Sequence, residues 1–246
     1  MKIQLANVCK AFGDQIVLDN LDLTVEPNRI TVIIGESGGG KSVLLKHIIG
    51  LIRPDAGSVH IDDVEISALN ERQLNEVRKN FGMLFQEAAL FDSMTVGENV
   101  AFPIREHTRL SKQEIETIVE EKLRQVGLKK VTGKMPSELS GGMRKRVGLA
   151  RALALNPKII LFDEPTTGLD PIRRDDIDRL MMRTQELTGA TCLVISHDID
   201  STFKIAHTVA MLYDGRIIEY GPPEKIKQST NPVVKHFIEG KSISER

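Results

Sequence analysis

A glycine-rich run near residue 40 has the residue types and the spacing of a phosphate-binding loop. Its members are Gly35, Glu36, Ser37, Gly38, Gly39, Gly40, Lys41 and Ser42, and Val43 follows directly. Glycines allow backbone N–H groups to turn towards phosphate oxygens at the start of a helix. Lys41 would then contact the β- and γ-phosphates of a nucleoside triphosphate, and the Ser42 hydroxyl would bind Mg²⁺. A flexible glycine loop without a ligand would not account for Lys-Ser at its end.

Two adjacent carboxylates follow an apolar run later in the chain. The run is Ile159–Phe162, and the acids are Asp163 and Glu164. Because successive side chains of a strand point in opposite directions, we predict separate roles for them. Asp163 would approach Mg²⁺, and Glu164 would orient or deprotonate an attacking water. Alone, such a pair could equally be a solvated turn, and the glycine-rich loop favours the catalytic interpretation.

A second run of small residues precedes another predicted helix. It is Leu139, Ser140, Gly141, Gly142 and Met143, and the helix is predicted from about Arg144 to Leu155. The start of that helix is a second candidate anion site, because its first N–H groups have no partners within the helix. One chain therefore carries two candidate phosphate sites.

The elements that must position these residues form an α/β pattern. Ile30–Ile34 predicts a buried strand that enters the glycine-rich loop, and a helix is predicted from about Lys41 to Leu51. Ile3–Val8 and Ile16–Val25 alternate apolar with polar residues, which predicts an antiparallel β-layer before the main sheet. Further predicted elements are strands at Ile159–Phe162, Thr191–Ser196 and Val209–Tyr213, and a helix at Ile172–Leu187. This alternation is typical of a largely parallel sheet.

The pattern from Glu87 to Pro157 is helical instead. Ser111 is a predicted N-cap with Glu114 in the capping-box position. One apolar face follows, formed by Ile115, Ile118, Val119, Leu123 and Val126. We predict a single domain over residues 1–246, in which an α-helical subdomain at 87–157 is inserted into a core formed by 1–86 and 158–246.

The Leu-Ser-Gly-Gly segment, upstream of the carboxylate strand, resembles the signature motif of ABC-transporter ATPases. Other elements of that family occur in the same order over nearly the whole chain. They are Phe12 as the aromatic that stacks on adenine, Gln86 as the Q-loop glutamine, Gly168-Leu169-Asp170 as the D-loop and His197 as the switch histidine. A single Phe, Gln or His is more often structural, so the resemblance rests on the ordered set.

The resemblance implies a P-loop NTPase fold with a RecA-like core sheet, an N-terminal antiparallel β-layer and an inserted α-helical subdomain. It implies ATP and Mg²⁺ as cofactors. Glu164, His197 and Gln86 would be catalytic, Gln86 would also bind the metal with Ser42 and Asp163, and Asp170 would lie at the nucleotide. Members of the family work as two copies that meet head to tail, so that the P-loop of one and the signature of the other enclose one ATP.

Three stretches narrow the resemblance to the ATPase of Mla/Mce-type phospholipid-transport systems. They are Gly40–His47, Met83–Pro103 and Leu139–Val147. This implies phospholipid transport between the inner and outer membranes, with an integral membrane permease of the MlaE type and an Mce-domain protein as partners. The resemblance leaves open whether a small regulatory subunit is also a partner. Transport of another solute is the alternative, since substrate selection resides in the permease. Ala88–Phe102 would contact the permease or pack the helical subdomain.

Composition sets the remaining expectations. The 246 residues carry 33 Lys+Arg and 34 Asp+Glu, a net charge of -1, so no overall basic field indicates nucleic acid as a partner. A basic cluster of Arg144, Lys145, Arg146 and Arg151 is explained by a nearby triphosphate. No apolar run approaches the roughly 20 residues that span a bilayer, and no secretory signal is evident. We expect a peripheral protein on the cytoplasmic face of the inner membrane, with Cys9 and Cys192 as reduced, buried thiols.

Overall fold

The strands of the protein form two sheets. The computed structural model describes residues 1–241, so the last residues of the predicted core, 242–246, lie outside the described chain. The strands are β1 (Ile3–Phe12), β2 (Gln15–Val25), β3 (Ile30–Ile34), β4 (Ala56–Ile61), β5 (Val64–Glu65), β6 (Phe81–Leu84), β7 (Ile159–Asp163), β8 (Thr191–Ile195), β9 (Thr208–Tyr213) and β10 (Arg216–Gly221).

Helices connect these strands and cover the sheets. They are α1 (Lys41–Ile48), α2 (Glu71–Arg78), α3 (Val96–His107), α4 (Lys112–Gln125), α5 (Gly141–Ala152), α6 (Pro171–Thr188), α7 (Ile199–Ile205), α8 (Pro223–Lys227) and α9 (Pro232–Ile238). Short 3₁₀ turns occur at Ile66–Ala68 and Pro136–Glu138. None of the helices within residues 1–241 has the length and apolarity that a bilayer span requires.

The larger sheet has the strand order β10-β9-β3-β8-β7-β6. Its strands run parallel except β10, which is antiparallel to β9. Every residue of β3 and β8 is buried, as expected for strands covered on both faces. The predicted α/β fold with a largely parallel core sheet is confirmed.

The smaller sheet is antiparallel, with the order β2-β1-β4-β5. It is the predicted N-terminal β-layer, extended by two strands that the sequence analysis did not predict. In β4 only Val59 and Ile61 are buried, and so short an alternation is a weak signal without the neighbouring strand.

Two apolar cores lie on opposite faces of the larger sheet. On β7, Ile160 and Phe162 belong to the core shared with α3, α4 and α5, whereas Ile159 and Leu161 belong to the core shared with the smaller sheet and α1. This alternation is the period of two that a strand imposes on its side chains. The last residue of β7, Asp163, is thereby fixed from both faces of the sheet.

The helices α3, α4 and α5 pack on one another. The predicted cap of α4 is confirmed, because the Ser111 N–H donates to Glu114 Oε2 at 2.7 Å and the Glu114 N–H donates to Ser111 Oγ at 3.4 Å. On the predicted apolar face of α4, Ile115, Val119 and Leu123 are buried. The boundaries of a helical subdomain at 87 and 157 stay a prediction.

Some details of the sequence analysis were wrong. The helix predicted from Arg144 begins at Gly141 and ends at Ala152, because Ser140 Oγ accepts the Met143 N–H at 3.3 Å and caps the helix at the earlier position. The helix α1 ends at Ile48 rather than Leu51. Cys192 is buried, but Cys9 is only half-buried.

Candidate functional site

Four strands of the larger sheet deliver predicted site residues to one edge. The glycine-rich loop follows β3, Gln86 follows β6, Glu164 follows β7 and His197 follows β8. These strands are parallel, so their carboxyl ends meet on the same side of the sheet. This is the edge at which open α/β sheets bind their ligands.

The glycine-rich loop closes around its own lysine. Lys41 Nζ donates hydrogen bonds to the carbonyl oxygens of Gly35 at 2.8 Å and Glu36 at 2.7 Å. Lys41 is only 6% exposed. Burial lowers the pKa of Lys41, whereas the charges of Glu164 and Asp163 act in the opposite direction. The loop therefore places a cationic side chain beside the two carboxylates at the end of β7.

Two of the loop glycines are required by the backbone. A Cβ on Gly35 would lie 2.2 Å from the carbonyl oxygen of Leu212 in β9. Gly40, at the start of α1, has φ 94°, in the left-handed region that side chains disfavour. By contrast, Ser37 and Gly38 are exposed, so the rim of the loop faces solvent. The following residues, Ser42 exposed and Val43 half-buried, form the first turn of α1.

Glu164 and His197 are direct neighbours. Glu164 Oε2 lies 3.2 Å from His197 Nδ1 and accepts the hydroxyl hydrogen of Thr167 at 3.0 Å. Glu164 also has a left-handed backbone, with φ 46°. The acid that the sequence analysis assigned to water activation is thus held by a histidine and a hydroxyl.

The other carboxylate suits a cation. Asp163 is half-buried, and within residues 1–241 no hydrogen bond to its side chain is present. Burial and the nearby charge of Glu164 raise the pKa of Asp163, and Lys41 partly offsets this. Residues 1–241 contain no group of three His, Cys, Asp or Glu side chains arranged for a metal. Mg²⁺ typically binds through one or two protein oxygens and substrate phosphates, and the Asp163 carboxylate and the Ser42 hydroxyl are such donors.

The signature segment faces a different space from the glycine-rich loop. Gly141 and Lys145 line a cavity of about 130 Å³ together with Gly168. Glu36 and His197 line another cavity of about 620 Å³. The two candidate phosphate sites of one chain therefore border separate cavities.

Three further predicted residues are exposed. Phe12, at the end of β1, is 50% exposed, and Lys10 Nζ lies 5.5 Å from its ring centre. Asp170 caps α6, because its Oδ1 accepts the Arg173 N–H at 3.0 Å. Gln86 lies in the turn after β6. These positions leave the aromatic ring, the carboxylate and the amide accessible to a ligand or a second chain.

The four cations of the basic cluster make hydrogen bonds that the sequence analysis did not predict. All four cations donate to backbone carbonyl groups: Arg144 to Leu139, Lys145 to Pro165 and Thr167, Arg146 to Val126, and Arg151 to Ala88 and Ala89. The carbonyls of Pro165 and Thr167 lie in the loop after Glu164, so Lys145 joins the signature helix to that loop. No local sequence signal marks such long-range contacts.

Known proteins share this architecture. A family model described as ABC transporter matches residues 18–167, more than half of the chain. The chain belongs to the ABC transporter family. As an ABC cassette it binds and hydrolyses ATP.

Relatives cover almost the whole cassette. The intermembrane phospholipid transport system ATP-binding protein MlaF of Haemophilus influenzae is 45% identical over 240 residues, 98% of this chain and 91% of that protein. The probable ribonucleotide transport ATP-binding protein mkl of Mycobacterium tuberculosis is 43% identical over 243 residues, 99% of this chain and 68% of that protein. A solved dimeric ATP-binding cassette, in a post-hydrolysis state with ADP and Pi, is 33% identical with a TM-score of 0.81, over 90% of this chain and 98% of that one.

Proposed function

We propose that this ABC cassette drives phospholipid transport between the inner and outer membranes through an Mla/Mce-type permease complex. The observation that carries the proposal is the 45% identity with MlaF over nearly the full length of both proteins. An ATPase of such a complex would lie on the cytoplasmic face of the inner membrane. Its partners would be an MlaE-type permease, an Mce-domain protein and, where present, a small regulatory subunit.

The residues at the sheet edge would divide the work of hydrolysis. The glycine-rich loop and Lys41 would hold the β- and γ-phosphates, and Phe12 would stack on the adenine. Glu164 would orient or deprotonate the attacking water, and His197, 3.2 Å from it, would hold that carboxylate and the terminal phosphate in line. Ser42, Asp163 and Gln86 would hold Mg²⁺, which would supply positive charge beside the phosphates.

A second copy would complete the site. Gly141 borders a cavity that the glycine-rich loop does not line, Ser140 is exposed and Gly142 is half-buried, so these residues would be available to a nucleotide held by another chain. Ile172, two residues after Asp170, is 78% exposed, so its side chain would be available to contact a second copy. The solved relative with ADP and Pi is dimeric.

The permease would contact the segment after β6. Phe85, Phe91 and Phe102 line an apolar cavity of about 460 Å³, and Phe91 is 42% exposed. Leu90 instead packs against the core. Both alternatives for Ala88–Phe102 are therefore supported, for different residues: Leu90 as packing and Phe91 as permease contact.

A second candidate is transport of another solute. The relative mkl, whose name refers to ribonucleotides, has a similar identity of 43%. The cassette itself does not select the substrate, so a functional assay must decide between the two.

The deciding experiment uses the complex purified through a tag on this chain from its native membrane. After reconstitution into vesicles, ATP hydrolysis and ATP-dependent transfer of a fluorescent phospholipid are measured, with ribonucleotides as competing substrates. We expect phospholipid transfer that requires ATP and the presence of an Mce-domain protein. A complex that contains neither an Mce-domain protein nor phospholipid-transfer activity would overturn the proposal.

A further inference from the structure

An ion pair ties the first turn of α6 to the residue after His197. Arg174 Nη1 lies 2.8 Å from Asp198 Oδ2, and the two side chains are only 34% and 14% exposed. The Arg174 N–H donates to the carbonyl of Asp170 at 2.9 Å. The arginine that reaches Asp198 is therefore one helical turn away from Asp170.

Asp198 is fixed by more than this ion pair. Its other oxygen, Oδ1, accepts the Ser201 N–H at 3.0 Å and caps α7. Its own N–H donates to Ser196 Oγ at 3.0 Å. Ser196 and Asp198 flank His197, so the backbone on the far side of the histidine is set by the contacts of Asp198.

A second polar link joins the same two helices one turn further along. Asp178 is buried on α6, and its carboxylate accepts the hydroxyl hydrogen of Ser201 on α7. Lys204 Nζ lies 3.7 Å from the other oxygen of Asp178. The helices α6 and α7 are therefore joined by a second link that involves neither Arg174 nor Asp198.

We propose that Arg174 is a positioning residue for hydrolysis. Through Asp198, it keeps His197 within reach of Glu164, and it links that geometry to Asp170, the residue expected to face a second copy. This role rests on the proposed ATP-hydrolysis site. It explains why a partly exposed arginine spans two segments at the edge of the sheet instead of pairing along its own helix.

The test is a double-mutant cycle on ATP hydrolysis by the complete chain. Its variants are Arg174→Ala, Asp198→Asn and the double variant, with Arg174→Lys as the conservative replacement. Asn retains an oxygen that can cap α7 but carries no charge, so Asp198→Asn removes the ion pair selectively. The matched control is Arg179→Ala, because Arg179 lies on the same helix in a largely exposed pair with Asp175.

We expect kcat to fall about tenfold in Arg174→Ala, since a small misplacement of a catalytic group has effects of this size or larger. The KM for ATP and the Tm of Arg174→Ala should stay close to those of the parent. Arg174→Lys should restore part of the lost kcat, and the kcat of Arg179→Ala should equal that of the parent. The kcat of the double variant should be no lower than that of the more impaired single variant, because both substitutions remove the same link.

An unchanged kcat in folded Arg174→Ala would overturn the proposal, as would losses that multiply in the double variant. A fall in kcat that only follows a fall in Tm would reduce the pair to a structural role and also overturn it. If Arg174→Ala does not fold, the same cycle with Arg174→Lys decides. The ATP-hydrolysis site itself fails separately, if the parent and Glu164→Gln hydrolyse ATP at equal rates.

Discussion

His197 Nδ1 lies 3.2 Å from Glu164 Oε2, although the two residues follow different strands. The register of those strands sets this distance. Asp163 pairs with Ile195, and the Glu164 N–H donates to the Ile195 carbonyl at 3.0 Å. A slip of one residue between β7 and β8 would turn their side chains to the opposite face. The register of the sheet therefore brings the backbones of the two segments together, and the contacts after each strand orient the side chains.

Replacing Glu164 should separate ATP binding from hydrolysis. In Glu164→Gln the amide keeps the size of the side chain but cannot accept a proton, so ATP should bind, hydrolysis should stop and the dimer should persist. Gel filtration with ATP and Mg²⁺ checks the dimer, and the exposed Glu224→Gln serves as the control. A monomer peak that ATP leaves unchanged would contradict the two-copy arrangement.

Replacing Lys41 should remove ATP binding itself. Lys41→Ala deletes the cationic group that binds the loop carbonyls of Gly35 and Glu36. We expect ATP affinity to fall by at least about tenfold, because hydrogen bonds of charged groups contribute roughly 1.5–3 kcal/mol. Titration with a fluorescent ATP analogue measures the change. Lys46→Ala, on the exposed side of the same helix, should retain the affinity of the parent.

Neutralising Asp163 should stabilise the nucleotide-free chain while weakening Mg²⁺ binding. Burial raises the pKa of Asp163, so the folded chain retains that proton to higher pH than the unfolded chain. As the pH rises through this window stability is lost, and the loss persists at neutral pH. Asp163→Asn should have a higher Tm at pH 7, and the difference should shrink as the pH falls into the ordinary carboxyl range.

Thermal unfolding at several pH values, and hydrolysis as a function of Mg²⁺, are the measurements for Asp163→Asn. The exposed Asp92→Asn is the control for removal of a negative charge. Equal hydrolysis at every Mg²⁺ concentration would reject the metal role of Asp163. A lower Tm at pH 7 would reject the argument from burial.

Arg151 should stabilise the turn after β6. It donates to the carbonyls of Ala89 at 2.7 Å and Ala88 at 2.8 Å, and both alanines have left-handed backbones, with φ 45° and 62°. Arg151→Ala should lower the free energy of unfolding by about 2 kcal/mol, as charged hydrogen bonds to a strained turn are lost. Arg151→Lys should recover only part of this free energy of unfolding, because a lysine lacks the planar guanidinium group.

Urea unfolding measures both Arg151 variants. Arg105→Ala, on the exposed side of α3, is the control. An unfolding free energy equal to that of the parent in Arg151→Ala would show that the turn is held by other contacts.

Gly82 marks the close approach of β6 to α5. A Cβ there would lie 2.4 Å from the carbonyl oxygen of Ala152. Gly82→Ala should therefore destabilise the chain by about 1–3 kcal/mol, the usual effect of overpacking. Gly133 has open space around its Cβ position, so Gly133→Ala is the matched control in the same urea experiment. Equal unfolding midpoints would contradict the close contact.

The residues of the sheet edge were predictable because each motif is local. The glycine-rich loop lies between an apolar strand and a helix, and Asp163 and Glu164 directly follow another apolar strand, so short windows of sequence contain the signal. The family resemblance then supplied Phe12, Gln86, Asp170 and His197 as candidates, whose individual residue types carry little information.

The contacts that tie the motifs together could not be predicted in this way. Lys145 was explained by a nearby triphosphate in the sequence analysis, but its ammonium donates to two carbonyls of the loop after Glu164, 20 and 22 residues away. Arg174 and Asp198 are likewise far apart in the chain and meet only because α6 and α7 pack together. Both kinds of contact depend on tertiary geometry, and a pattern of charges along the sequence does not encode that geometry.

The strand β7 is paired on both sides and covered by an apolar core on each face. Its last residue is Asp163, and Glu164 comes next. Both carboxylates are therefore attached to a strand that is constrained at its two edges and on its two faces. In a working pair of cassettes, the nucleotide and the opposite subunit would be brought to these two carboxylates, because the strand that carries them is enclosed.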